Sequence, residues 1–219
     1  MSEQHSIAAC EFEPAIGDVA ANVERMHERL SGVECGLAVF PELCVTGYDL
    51  DVAVERAAPI PGPLTEPLVG LAAAHGTEIV AGVPERDGED LYNCLVLVDA
   101  DGVEAVYRKR FPWGAEADVF TPGTEPVVAE TAVGRVGFLL CYDLNFPEAA
   151  LPYARRSCDA VLVSAAWRES YREDWALLLR ARALDGACYA VGANHGGHQR
   201  GREHEGGSLI ANPRGTVVA

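Results

Sequence analysis

The chain has 219 residues, 49% of them hydrophobic, so it can bury a sizeable core, and its length suits one domain better than two. Thirty-three acids against 17 bases give a formal charge of −16, which argues against nucleic acid or an anionic membrane as partner and toward small molecules. Seven cysteines, most of them inside apolar runs, read as reduced thiols, and no apolar stretch approaches ~18 residues, so a cytoplasmic location with neither signal peptide nor membrane span is expected.

Taken in chain order, short apolar β-type runs recur at 6–12, 36–40, 77–83, 91–98, 103–109, 135–140, 160–166, 188–194 and 207–213. Several are apolar on both faces, as strands covered on both sides must be. Helical patterns lie between some of them. The first has Asp18 as N-cap, Val19, Val23, Met26 and Leu30 on one face and Gly32 as a stop. A second runs from Thr65 to Gly76, a third opens on Pro147, and a fourth, "REDWALLLRARALDG", closes at Gly186. Pro-rich 56–67 and the Gly-, His- and Arg-rich stretch 195–207 read as loops. The alternation predicts an α/β layered protein with a mixed sheet arrangement.

Three strand ends carry candidate chemistry. "RVGFLL" stops on Cys141, ahead of a helix that starts near Pro147; the positive end of that helix is expected to favour thiolate, which suits a nucleophile. Ordinary buried thiols are expected at Cys10, Cys94, Cys158 and Cys188. "GLAVF" gives way at Pro41, which cannot donate to a ladder, and delivers Glu42 to the sheet edge after an apolar approach, where desolvation would raise its pKa toward the range of a general base. "VYRKRFPWGAE" ends at Lys109. Sixteen of the 17 basic residues are Arg, so the single Lys points to a cramped site that needs a compact ammonium, such as one stabilising an oxyanion.

Together, "VFPEL", "YRKRFPWGAE" and "LLCYDLNFPE" resemble the signature blocks of the carbon–nitrogen hydrolase (nitrilase) superfamily, and the likeness continues through "RARALDGACYAVGAN" and "GGSLIANPRG". The resemblance implies a four-layer αββα sandwich of two mixed β-sheets. It implies Glu42 as general base, Lys109 as oxyanion stabiliser, Cys141 as nucleophile and Glu116 as a second glutamate orienting the site. It also implies a small amide substrate, no metal or organic cofactor, and a homodimer or higher homo-oligomer. Tyr48, Trp113, Tyr142, Asn145 and Trp167 are candidates to line the pocket. The chain ends at Ala219, where relatives usually continue with another strand and a tail, so a single domain without them is expected.

"CYDLNFPE" looks more like the amidase blocks than the Cys-Trp-Glu-Asn type of nitrilases, which favours an amide over a nitrile. Asn145 stands where amidase-type members often have Arg, which weakens the case for acidic or carbamoyl amino acid substrates unless Arg168, Arg200 or Arg202 compensates. Asp185 and Glu11 also depart from the residues usual in the family, Glu and Gln. Two other readings stay open: Cys141 paired with His195, His198 or His204 in a thiol hydrolase, and metal binding by His195, His198, His204 and Glu205. An acidic, almost Lys-free surface would further suit a salt-rich cytoplasm.

Overall fold

The computed structural model describes residues 6–219, the side chain of Glu205 apart. The chain runs β1 (Ile7–Ala9), α1 (Val19–Leu30), β2 (Leu37–Val39), α2 (Leu50–Arg56), α3 (Glu66–His75), β3 (Glu78–Asp87), β4 (Asp90–Val98) and β5 (Val103–Arg108). It continues with β6 (Val128–Thr131), β7 (Gly134–Leu140), α4 (Pro147–Arg155), β8 (Ala160–Ala165), α5 (Arg172–Gly186), β9 (Tyr189–Asn194), β10 (Gly196–Gln199), β11 (Arg202–Glu205) and β12 (Leu209–Ala211).

The helix ends follow local chemistry. The Asp18 carboxylate accepts the Ala21 N–H at 3.0 Å, and Gly32 follows with φ +79° just past the C-terminus of α1. α3 stops at Gly76 in the left-handed region, and α4 opens on Pro147, whose missing N–H costs nothing at a first helical position. α2 was not expected from the sequence; Asp49 caps it by accepting the Val52 N–H at 3.0 Å.

Two five-stranded mixed sheets result among the described residues, ordered β1-β2-β3-β4-β5 and β12-β9-β8-β7-β6. In each, three neighbours run parallel, β1 to β3 and β7 to β9, and the flanking strands are antiparallel. Leu37, Val39, Val80, Leu95 and Tyr107 of the first sheet meet Val136, Phe138, Leu140, Leu162 and Val191 of the second in one apolar layer. Met26, Leu30, Leu68 and Leu71 of α1 and α3 cover the outer face of the first sheet, and Tyr153, Trp175, Leu179 and Ala183 of α4 and α5 cover that of the second. The fold is the αββα sandwich. Every central strand is thus buried on both faces, which explains the near-continuous apolar runs.

The stretch 195–207 is a correction. It forms the antiparallel hairpin β10–β11, turning at Arg200 (φ +44°) and Gly201 (φ +77°), positions that need the left-handed region. Its glycine and histidine content hides a strand pair held mainly by backbone bonds.

Candidate active site

The site is assembled from strand ends. Because β4 opposes both β3 and β5, strands β2, β3 and β5 point the same way, and the C-terminal ends of β2 and β5 share one edge. After β2 the chain crosses β3 at Gly82, where a Cβ would lie 2.1 Å from the Leu43 nitrogen and 2.7 Å from the Glu42 Cα. Glycine there lets the Glu42 turn lie directly on the strand. Gly82 also donates its N–H to the Pro41 carbonyl at 3.2 Å.

So carried, the wholly buried Glu42 reaches Lys109, whose Nζ lies 2.6 Å from Oε1. The same Oε1 accepts from Asn93 Nδ2 of β4 at 2.8 Å, and Oε2 accepts the Ala166 N–H at 3.0 Å. Lys109 Nζ is also 2.8 Å from Glu116 Oε2 and 3.1 Å from its Oε1. Glu116 is fixed in turn by the Tyr48 hydroxyl at 2.6 Å and the Trp113 N–H at 2.8 Å. Burial alone would lower the Lys109 pKa, but the charges of Glu42 and Glu116 outweigh it and hold the group well above its ordinary value, as a firm ammonium.

Cys141 arrives from the other sheet, at the end of β7, with φ +48°. It opens a 3-10 turn, Cys141–Asn145. The Ala166 N–H that Glu42 Oε2 accepts exerts a small lowering effect on the Cys141 thiol pKa. The expected preference for thiolate does not hold. Burial pushes the thiol pKa well up, the Glu42 charge pushes it further, and Lys109 only partly offsets them. The first α-helical turn begins six residues on, too far for its dipole to win. A neutral thiol can attack a carbonyl only as a base takes its proton.

One acid in the Cys141 turn is structural. Asp143 is fully buried, and its Oδ2 accepts from Tyr107 Oη at 2.7 Å and the Leu140 N–H at 2.9 Å. Its Oδ1 accepts the Phe111 N–H at 2.8 Å. It therefore clamps the Cys141 turn to the segment following Lys109; burial raises its pKa to about 6.

A cavity of about 230 Å³ opens on Cys141 and is lined also by Trp113, Tyr142, Asn145, Trp167 and Arg168. Tyr48 is not among its lining residues; its hydroxyl serves Glu116. Arg200 pairs with Asp49 at 2.8 Å, and neither it nor Arg202 lines this cavity.

His195 lies close by, but its ring is taken: Nε2 donates to the Glu42 carbonyl at 2.6 Å, and Nδ1 accepts from Gln199 Nε2 at 3.1 Å. Burial lowers its pKa to about 3, which keeps it neutral. His204 points Nδ1 at the Trp167 carbonyl at 3.2 Å, and the His198 backbone N–H faces Glu13. None of the three lines the cavity with Cys141. Among the described residues no group of three or more His, Cys, Asp or Glu is arranged to hold a metal ion; the Glu205 side chain lies outside those residues. Asn93, Gln199 and Asp143 are the supporting polar residues that sequence reasoning missed.

The family model of carbon–nitrogen hydrolases matches residues 4–219. The chain belongs to that family. It is 30% identical to a 2-oxoglutaramate amidase of Bacillus subtilis (98% of this chain, 85% of that protein). It is 33% identical to a nitrilase of Pyrococcus abyssi (97% and 83%). Among solved structures it is similar to a Glu-to-Gln mutant of the amidase from Nesterenkonia sp. AN1, 26% identical with a TM-score of 0.87, covering 96% of this chain and 83% of that one. In that structure the acetamide moiety of fluoroacetamide is covalently added at the active site cysteine. Among the described residues no helix is long and apolar enough to cross a membrane.

Proposed function

We propose that this carbon–nitrogen hydrolase cleaves a small amide through an acyl-thioester on Cys141. The observation that carries the reading is the wholly buried Glu42–Lys109 pair at 2.6 Å, with Glu116 on the same ammonium, whose charges act on the Cys141 thiol that opens onto the cavity. Glu42 takes the thiol proton as Cys141 Sγ attacks the carbonyl carbon. The carbonyl oxygen becomes an oxyanion, met by the Lys109 ammonium and the backbone N–H of Tyr142. An ammonium has three donors; two are engaged with Glu42 and Glu116, which leaves one for the oxyanion. Glu42 then gives its proton to the departing nitrogen as the C–N bond breaks. Water attacks the thioester with Glu42 again as base, releasing the acid and restoring the thiol. Glu116, tied to Tyr48 and Lys109, holds the ammonium in place.

The test is ammonia release from a panel of small amides, carbamoyl compounds and nitriles by the native protein and by Cys141→Ala. Activity on amides that the variant lacks is expected, together with a mass increase on Cys141 when turnover is quenched. A variant as active as the native protein would remove the assignment; activity confined to nitriles would move the reading to nitrile hydrolysis.

A further inference from the structure

We infer that the cavity selects amides that carry both a carboxylate and an ammonium group, with Arg168 and Asp174 as the determinants of that choice; this rests on the amidase reading above. The cavity is small, about 230 Å³ against the ~300–1,000 Å³ of sites for drug-sized ligands, so a compact substrate is implied. Its wall next to Cys141 is aromatic or neutral, and its charged lining residues are one guanidinium, Arg168, and one carboxylate, Asp174.

The two charges are placed differently. Arg168 lies three residues past the end of β8, lines the same cavity as Cys141, and is half-buried. Its Cζ lies 4.5 Å from the centroid of the Trp113 ring. A guanidinium stacked on an indole loses rotamer freedom and keeps its in-plane N–H fork for a bidentate carboxylate. Asp174 is exposed in the first turn of α5 and lines the same cavity, beside the half-exposed Tyr171.

Charge balance at larger scale points the same way. A chain of formal charge −16 repels a purely anionic amide before it arrives, and a carboxylate in the cavity disfavours it on arrival. A cationic amide meets Arg168. A net-neutral substrate carrying both groups avoids both penalties and supplies each lining charge with a partner.

The experiment uses four amides of matched length: neutral, carboxylate-bearing, amine-bearing and carrying both. Ammonia release is followed at fixed ionic strength for the native protein, Arg168→Gln and Asp174→Asn. Binding of the same four to Cys141→Ala is measured by calorimetry. We expect kcat/KM to favour the doubly charged amide over the neutral one by about tenfold or more, the worth of one charge-assisted contact. Arg168→Gln collapses the preference for the carboxylate and Asp174→Asn that for the amine, chiefly through KM. Cys141-dependent turnover that prefers the neutral amide, or variants that slow all four alike, overturns the inference. Charge-selective binding to Cys141→Ala with no turnover of any amide upholds it and sinks the amidase reading; neither binding nor turnover sinks both.

Discussion

Lys109 illustrates what one residue can reveal. Its isolation among 16 arginines pointed to a site too tight for a guanidinium, and its Nζ sits within 3.1 Å of oxygens on two buried carboxylates. On the proposed mechanism Lys109→Arg is expected to lower kcat by about 10²–10³-fold, the cost of losing an oxyanion donor. Steady-state rates with a circular dichroism control for folding check it. Glu42 and Cys141 were legible for a related reason, since each interrupts an apolar run where a strand must stop. Asn93 and Asp143 were not, because a polar residue within or just past a β-type run looks the same in sequence whether it faces solvent or a buried partner. His195 supplies a pH prediction. Its folded pKa of about 3 lies below the unfolded ~6.5, so only the unfolded chain binds that proton between these values. Its contribution to stability is complete above pH ~6.5 and is lost as pH falls toward 3. Asp143, raised to about 6, works oppositely between ~4 and 6: the folded state keeps a proton that the unfolded chain has released. Denaturant unfolding of His195→Asn should show a flatter loss of stability from pH 6.5 to 4.5 than the native protein; an unchanged slope would contradict the assignment.

At the scale of elements, the expected helices at 18–32, 65–76, after Pro147 and up to Gly186 are present because caps and stops are local chemistry. The apolar runs became strands, while α2, β6 and the β10–β11 hairpin went unread. Their segments are short or rich in small residues, and pairing partners distant in sequence decide their structure. The same holds for Gly82, an unremarkable glycine in sequence that carries the Glu42 turn on its bare backbone. Gly82→Ala is expected to reduce kcat/KM by tenfold or more and to destabilise by about 1–3 kcal/mol, as overpacking does. Gly70→Ala, on the exposed side of α3 with nothing within 4 Å of the added carbon, should instead gain up to ~1 kcal/mol of stability. Paired thermal melts and rates separate the two.

For the molecule as a whole, the charge of −16 spread over a 219-residue chain implies self-repulsion that salt screens over a few Å. The thermal midpoint is expected to rise as potassium chloride is increased from ~0.05 to 1 M; a falling midpoint, or activity lost on the way, would count against adaptation to a salt-rich interior. The two sheets meet along an apolar layer, and each contributes part of the candidate site: Glu42, Asn93 and Lys109 come with one, Cys141 and Ala166 with the other. On the proposed mechanism, neither half performs chemistry until that seam has closed. Regain of ammonia release after dilution from denaturant would therefore time the mating of the halves, and a chain whose sheets had each formed separately would remain silent in the assay.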